Sequence, residues 1–290
     1  MRKVFCFLVL ISLFSCGHKR IDTGNRIITV SIAPFKYFID EIAGGDFEIN
    51  VMVPAGADPH IYEPFPEQIN KLRISVGYIS NGYLGFEMTW LNKFYETNPS
   101  MKRLCLGDKI SLLVSGHKHE GQHIEGADPH YWVSPKCALI IASSAKSFLC
   151  ELNPVNKEKY EINYEVLVLK IQTVDNLAQE LFSGVKNHSF MIYHPNLAYL
   201  ARDYGLEEIA VEYEGKEPPP SGMKNLIDRA RKDGLKTIFV QREYDTKNAK
   251  AIAGEIGAEI RIIDPLSEDW KGATIDIIKA LHFSLIQSSK

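Results

Sequence analysis

The 290-residue sequence has no strong excess of either charge, since 33 Lys and Arg face 36 Asp and Glu for a net charge of −3. A nucleic-acid-binding protein needs a basic face, so this balance argues against that class. The five cysteines form no C-x-x-C pair, which argues against a cysteine-based zinc site. No G-x-S-x-G string is present, so the sequence lacks the nucleophile motif of α/β-hydrolases. The hydrophobic content of 45% is typical of an ordinary globular protein.

The N-terminus has the pattern of a secretory signal. "MRKVFCFLVLISLFSC" has a basic start, an apolar run from Val4 to Phe14, and then Ser15 and Cys16. The apolar run is shorter than the roughly 20 residues that a membrane-spanning helix needs. A cysteine after "LFS" resembles a bacterial lipobox, although a plain cleaved signal is the alternative. We predict a lipoprotein signal peptide over residues 1–15, lipidation of Cys16, a tether over 16–25, and a location in the cell envelope.

Alternating strand and helix signals predict an α/β fold. "RIITVSIAP", "FEINVMVPAG" and "ISVGYIS" are typical of strands, and a second series follows with "SFMIYH", "LEEIAVEY", "KTIFVQ" and "AEIRIID". Between the two series, residues 156–184 contain neither Gly nor Pro before the closing Gly184, which predicts one long helix. We therefore predict two lobes, 26–153 and 186–290, each with a mostly parallel four-stranded sheet flanked by helices, and a linker helix within 154–185.

One pentapeptide, Gly-Ala-Asp-Pro-His, occurs twice, at Gly56–His60 and at Gly126–His130. Proline restricts its own backbone and that of the preceding residue, so each histidine follows a segment with little freedom to lose. Asp58 and Asp128 have two candidate roles, either turning the loop or hydrogen-bonding a histidine ring. The repeat thus indicates that the chain uses the same loop structure twice, each time to position an imidazole.

Four candidate metal ligands follow predicted strands or precede helices. Ligands of open parallel sheets bind at the carboxyl ends of the strands, and a cleft between two lobes would gather all four. Three imidazoles and one carboxylate suit Zn²⁺, and Mn²⁺ also accepts such a set. Each residue alone has a structural alternative, such as a surface histidine or a strand-ending turn. The four predicted ligands are His60, His130, His194 and Asp264.

A polar segment, "GHKHEGQHIEG", precedes the second pentapeptide and contains His117, His119 and His123. Clustered imidazoles in a polar loop hold zinc weakly and exchange it fast, so we predict an accessory metal-capturing role. A solvated loop without such a role is the alternative.

The motifs in order resemble those of the periplasmic zinc- and manganese-binding components of bacterial ABC importers. The resemblance rests on "VPAGADPHIYEP", "DPHYWVSP", "YHPNLAYLARDYGL" and "AGEIGAEIRIIDPL", and it covers nearly the whole chain after the signal. It implies that His60, His130 and His194 occupy the histidine ligand positions and Asp264 the carboxylate position, with Glu63 as a local substitute. It also implies that the long helix limits hinge motion. Histidine at 194, where manganese members tend to carry glutamate, favours zinc.

These features predict a high-affinity zinc-binding component of an ABC importer. It would act as a monomer, without catalysis, and deliver its ion to a membrane permease and its ATPase. A manganese-specific member of the same family is one alternative. A zinc hydrolase with Glu63 as general base is another, and a surface adhesin with a structural metal is a third. Substrate turnover would distinguish the hydrolase, and metal release to a permease would separate transport from cell adhesion.

Overall fold

The structure is a computed structural model that describes residues 26–114, 126–212 and 218–288. The predicted signal peptide, Cys16 and the tether lie outside the described residues. So do His117, His119 and His123. Within the described part of the chain, no helix has both the length and the apolar character needed to cross a membrane.

The N-terminal lobe is a four-stranded parallel sheet with helices packed on it. Its strands are β1 (Ile27–Ile32), β2 (Glu48–Val53), β3 (Ser75–Ser80) and β4 (Lys102–Cys105). Its helices are α1 (Ala33–Ala43), α2 (Pro66–Arg73), α3 (Gly85–Thr97) and α4 (Pro135–Leu152). The strand order is β2-β1-β3-β4, and every residue of β1 is buried, as expected for a strand covered on both faces.

Strand β4 is the one element of this sheet that the sequence patterns do not locate. It pairs in parallel with β3 at the edge of the sheet, with four residues, "KRLC", of which the first two are exposed. A short, charged edge strand carries no apolar alternation, and charge on an edge discourages pairing with other chains. Its place depends on the neighbouring strand rather than on a local signal.

The C-terminal lobe repeats the architecture. It contains strands β5 (Ser189–Ile192), β6 (Glu207–Ala210), β7 (Thr237–Gln241) and β8 (Glu259–Ile263), in the order β6-β5-β7-β8 and all parallel. Its helices are α6 (Ala198–Tyr204), α7 (Pro220–Lys232), α8 (Lys247–Ile256) and α9 (Trp270–Gln287). The predicted fold class, two lobes with parallel four-stranded sheets, is therefore confirmed.

One helix, α5 (Lys157–Phe182), joins the lobes and is 26 residues long. It buries one stripe at helical spacing, made up of Tyr160, Leu167, Ile171, Val174, Ala178 and Phe182. This stripe packs against α1 and α4 of the first lobe and against α9 of the second. A single hydrophobic core thus continues through α5 from one lobe into the other.

Two tryptophans tie the lobes together beside the cleft. The Trp132 indole N–H donates to the Pro265 carbonyl at 2.9 Å, and the Trp270 indole N–H donates to the Trp132 carbonyl at 2.7 Å. Both rings are almost fully buried, so each polar N–H has the partner that burial requires. These bonds fix the segment after β8 against the segment after His130.

Candidate metal site

Three histidines from separate segments meet between the lobes. His60, His130 and His194 each offer one ring nitrogen, and the three nitrogens lie within 4.8 Å of one another. The His60 and His194 Nε2 atoms are 3.2 Å apart. His60 lies between β2 and α2, His130 lies before α4, and His194 follows β5, so the site forms where strands of both lobes end.

The two Gly-Ala-Asp-Pro-His segments adopt the same local structure. Asp58 Oδ1 accepts the backbone N–H of His60 at 2.8 Å, and Asp128 Oδ1 accepts that of His130 at 2.8 Å. Both bonds are Asx turns, in which an aspartate side chain bonds the backbone two residues later. The loop-turning interpretation is thus confirmed for both aspartates. Asp128 also has the second proposed role, because its Oδ1 lies 2.8 Å from the His130 Nδ1.

The His60 loop depends on a close approach to the start of α3. A Cβ at Gly85 would lie 2.4 Å from the His60 carbonyl oxygen, which a real side chain does not tolerate. The next residue, Phe86, donates its backbone N–H to the Pro59 carbonyl at 3.2 Å. Glycine at 85 therefore lets α3 support the backbone that carries His60.

His194 is held by a carboxylate and by an aromatic ring. Its Nδ1 lies 2.5 Å from the Glu212 Oε1, and an ionised Glu212 makes Nδ1 the protonated nitrogen, which leaves Nε2 free to bind a metal. The Tyr244 ring stacks on the imidazole with centroids 4.8 Å apart. Glu212 follows β6, as His194 follows β5, and the strand-end rule that singled out His194 also applies to this carboxylate.

His130 is oriented in the same way from the other lobe. Asp128 accepts from the His130 Nδ1, so the His130 Nε2 is the nitrogen left for a metal. Burial disfavours the charged Asp128, but the nearby His130 ring and its hydrogen bonds outweigh burial and hold the pKa of Asp128 below its usual value. Two of the three histidines therefore have a carboxylate that fixes the tautomer suited to metal binding.

Burial favours the neutral form of His60 and His194 in the metal-free protein. Desolvation, followed by repulsion from His130 and His194, lowers the pKa of His60 to about 3. Desolvation also lowers the pKa of His194, although the hydrogen bond to Glu212 opposes the shift. A metal ligand must be an unprotonated imidazole, so these shifts hold the site ready for a cation.

The affinity for Zn²⁺ should therefore resist mild acid better than a site of exposed histidines, whose pKa is ordinarily about 6.5. Competition with a chromophoric chelator at several pH values is expected to show little loss of affinity between pH 8 and about 6. A steep fall between pH 7 and about 6 would contradict this expectation. The same shifts make unfolding of the metal-free protein easier below about pH 6.5, because the unfolded chain then binds protons that the folded His60 and His194 do not.

The other predicted ligands lie apart from the three nitrogens. The Asp264 carboxylate is not part of the group and instead accepts a hydrogen bond from Arg242 at 2.9 Å, although its Oδ1 is buried without a hydrogen-bond partner. Glu63 is exposed and also lies outside the group. Asp264 as the fourth ligand and Glu63 as its substitute stay predictions.

Two oxygen-bearing side chains that sequence reasoning missed face the histidines. Glu243 and Asn196 line a small cavity of about 10 Å³ together with His60, His130 and His194. The Glu243 Oε2 and the Asn196 Oδ1 are both buried without a hydrogen-bond partner. Glu243 comes two residues after β7, so the strand-end position was a usable signal.

A larger cavity of about 880 Å³ opens on the same site from the solvent side. His60, His194 and Glu212 form its inner wall, and Asp58, Asp245 and Lys247 are among its other lining residues. Acidic side chains around the opening favour the entry of a cation over that of an anion.

Known proteins match this chain over most of its length. The family model of the periplasmic zinc-uptake complex component A, ZnuA, matches residues 28–282. A solved structure of a zinc-bound ZnuA deletion mutant is 34% identical, with a TM-score of 0.83, and the match covers 90% of this chain and 98% of that one.

Curated relatives are similar at lower identity. The zinc-binding lipoprotein AdcA of Streptococcus pneumoniae strain R6 is 27% identical over 92% of this chain. The match covers 56% of AdcA, so the chain spans about half the length of that relative. The high-affinity zinc uptake system protein ZnuA of Bacillus subtilis is 25% identical, over 98% of this chain and 96% of that protein.

Proposed function

The chain belongs to the ZnuA family of periplasmic zinc-uptake components, and from this premise we propose that it captures Zn²⁺ between its lobes for an ABC importer. The ion is cargo rather than a cofactor. His60, His130 and His194 bind it in the proposal, and a membrane permease with its ATPase receives it. No chemical step is required of the protein.

The spacing of the histidine nitrogens is the observation that supports this proposal most directly. Two nitrogens bound to one tetrahedral Zn²⁺ at its usual bond length lie about 3.4 Å apart. The Nε2 atoms of His60 and His194 are 3.2 Å apart, so one ion fits both with little movement. In the metal-free protein a neutral His60 with its proton on Nε2 donates to His194 across this distance, and in the other tautomer its Nε2 lone pair is available to an ion placed between the two rings.

The donor set favours zinc over manganese. Imidazole nitrogen suits Zn²⁺, and Mn²⁺ is the weakest binder of the divalent first-row series at such sites. A manganese-specific role is thus the weaker proposal. Competition between the two ions for the purified protein distinguishes them.

The hydrolase alternative finds less support. Glu63, its proposed general base, is exposed and lines neither cavity at the histidines. The letters from His119 to His123, "HEGQH", do spell the zinc-peptidase motif H-E-x-x-H. That motif works on a helix, whereas this string has Gly121 inside it and Gly116 and Gly126 nearby, and glycine disfavours helices.

For the envelope location we propose a lipid anchor at Cys16. The lipobox-like "LFSC" supports it, and the similar AdcA is named a lipoprotein. Mass spectrometry of the membrane fraction should detect an N-terminal peptide that starts at an acylated Cys16. A soluble mature protein with an unmodified N-terminus would argue for a plain signal.

The transport role predicts a phenotype in the organism that carries the gene. Deletion should abolish high-affinity uptake of radioactive zinc at submicromolar supply, and expression of the wild-type chain should restore it. A His60→Ala chain present at the same level should not restore it. Normal uptake in the deletion strain, or full rescue by His60→Ala, would contradict the proposed function.

A further inference from the structure

The segment that leads from β3 into α3, residues 81–87, contacts both pentapeptides at the equivalent atom. The Asn81 side-chain amide donates to the Pro129 carbonyl at 2.9 Å, and the Phe86 backbone N–H donates to the Pro59 carbonyl at 3.2 Å. Each acceptor is the carbonyl of the proline that directly precedes a clustered histidine. One short segment therefore holds both repeats at the same position.

Asn81 bonds the chain on both sides of His130. Besides the bond to Pro129, its backbone carbonyl accepts the Tyr131 hydroxyl at 2.8 Å. Asn81 is fully buried, and its Oδ1 accepts the Tyr83 backbone N–H at 3.1 Å, which leaves Nδ2 to face Pro129. Bonds between buried groups are costly to break, because water does not replace the lost partner. His130 is thus held through both of its neighbours.

A buried carboxylate fixes Asn81 in turn. Glu87 is 1% exposed, and its Oε1 accepts the Asn81 backbone N–H at 2.7 Å, while its Oε2 accepts that of Gly82 at 2.6 Å. The Ser31 hydroxyl on β1 also donates to Glu87. A buried carboxylate needs such donors, and two of them here are backbone groups of the segment that carries Asn81. Glu87 therefore fixes the position of Asn81.

Resting on the proposed function, we infer that Asn81 is a positioning residue for the metal site, which sets where His130 lies against His60 before an ion arrives. The centroids of these two rings are 5.5 Å apart. Asp128 orients the His130 ring, whereas Asn81 holds the backbone from which that ring extends. A site whose ligands are already in place loses less freedom when it binds an ion, so it binds more tightly. Glu87 contributes by keeping Asn81 in place.

The test compares Asn81→Ala with Asn98→Ala in the purified mature protein. Asn98 is a matched control, because it is also buried and its side-chain amide donates to the Leu72 and Ser75 carbonyls, near the other end of β3. Both variants should lower the unfolding temperature of the metal-free protein. In chelator competition, Asn81→Ala should weaken Zn²⁺ binding by about tenfold, whereas Asn98→Ala should change it by less than about twofold. Equal affinity of the two variants would overturn the inference.

Glu87→Gln is a second variant that keeps the test decisive if Asn81→Ala does not fold. The amide keeps the shape of the side chain but offers one acceptor oxygen in place of two, so a backbone N–H loses its partner. Glu87→Gln should bind Zn²⁺ more weakly than Asn98→Ala does. Combined with Asn81→Ala, it should cause little further loss, because both changes release the same segment. Unchanged binding in Glu87→Gln, or losses that add in full, would contradict the inference.

A crystal structure of metal-free Asn81→Ala gives a readout that a loss of stability alone does not move. The His130 ring should lie in a different position relative to His60, because the backbone before it is released. In metal-free Asn98→Ala the separation of the two centroids should stay near 5.5 Å. The wild-type separation in both variants would show that Asn81 does not position His130.

A His60→Ala variant separates the two levels of the proposal. If the wild type does not bind Zn²⁺ tightly, or if His60→Ala binds it equally well, the proposed function fails. If the wild type binds tightly and His60→Ala does not, while Asn81→Ala binds like the wild type, only the positioning role fails. Thermal unfolding of each metal-free variant shows whether it is folded.

Discussion

Replacement of His194 by alanine is expected to lower the affinity for Zn²⁺ by a factor on the order of a thousand. The imidazole is one of three nitrogens that meet within 4.8 Å, and its Nε2 lies 3.2 Å from that of His60. Without it, two imidazole nitrogens of the cluster remain to hold the ion. Chelator-competition titration of the purified protein measures the loss.

His282→Ala provides the matched control. His282 lies on α9 and is not part of the cluster, so its removal should leave the affinity unchanged. His60→Ala tests the same site with less risk to the fold, because His60 is the least buried of the three histidines. Tight binding that persists in both His60→Ala and His194→Ala would refute the site.

Removal of the Glu212 side chain is expected to have the second-largest effect. Glu212→Ala should weaken Zn²⁺ binding by about 10–100-fold, although Glu212 does not touch the ion. Its Oε1 lies 2.5 Å from the His194 Nδ1, and this bond keeps the proton on Nδ1 and the lone pair on Nε2. Without it, His194 is free to rotate and to take the other tautomer. Glu212→Gln should lose less, since an amide oxygen still accepts the bond.

Glu207→Gln is the control for this prediction. Glu207 lies on β6, five residues earlier, but pairs with Arg229 at the surface rather than with a histidine. Zn²⁺ titrations of the three glutamate variants and the wild type, with thermal unfolding to verify folding, give the comparison. Equal affinity of Glu212→Ala and the wild type would show that His194 is oriented by packing on Tyr244 alone.

Much of the fold follows from local patterns in the sequence. The central strand β1 is a β-branched run, and α5 is a long stretch without Gly or Pro. Both signals lie within a few consecutive residues and were predicted. The edge strand β4 was not, because "KRLC" becomes a strand only through its pairing with β3.

The candidate site likewise has parts that local sequence patterns predict and parts that depend on three-dimensional packing. His60 and His130 are marked by the repeated pentapeptide, and the strand-end rule singles out His194. The partners of these histidines depend on which side chains of distant strands face one cavity. Glu212 is adjacent to His194 only because β5 and β6 pair side by side. A single sequence does not show which strands pair.

Asp264 illustrates the limit of the strand-end rule. The rule places it correctly directly after β8. It does not reveal that Arg242, just after the neighbouring strand β7, binds the carboxylate. Position along the chain predicts which edge of a sheet a residue reaches, whereas its partner there is a matter of three-dimensional packing.

The central claim is that one transition-metal ion binds between His60, His130 and His194. Anomalous X-ray diffraction at the zinc absorption edge, from crystals grown with Zn²⁺, tests it most directly. The account predicts one strong peak within about 2.1 Å of the three Nε2 atoms. A peak elsewhere on the chain, with none among these histidines, would contradict it.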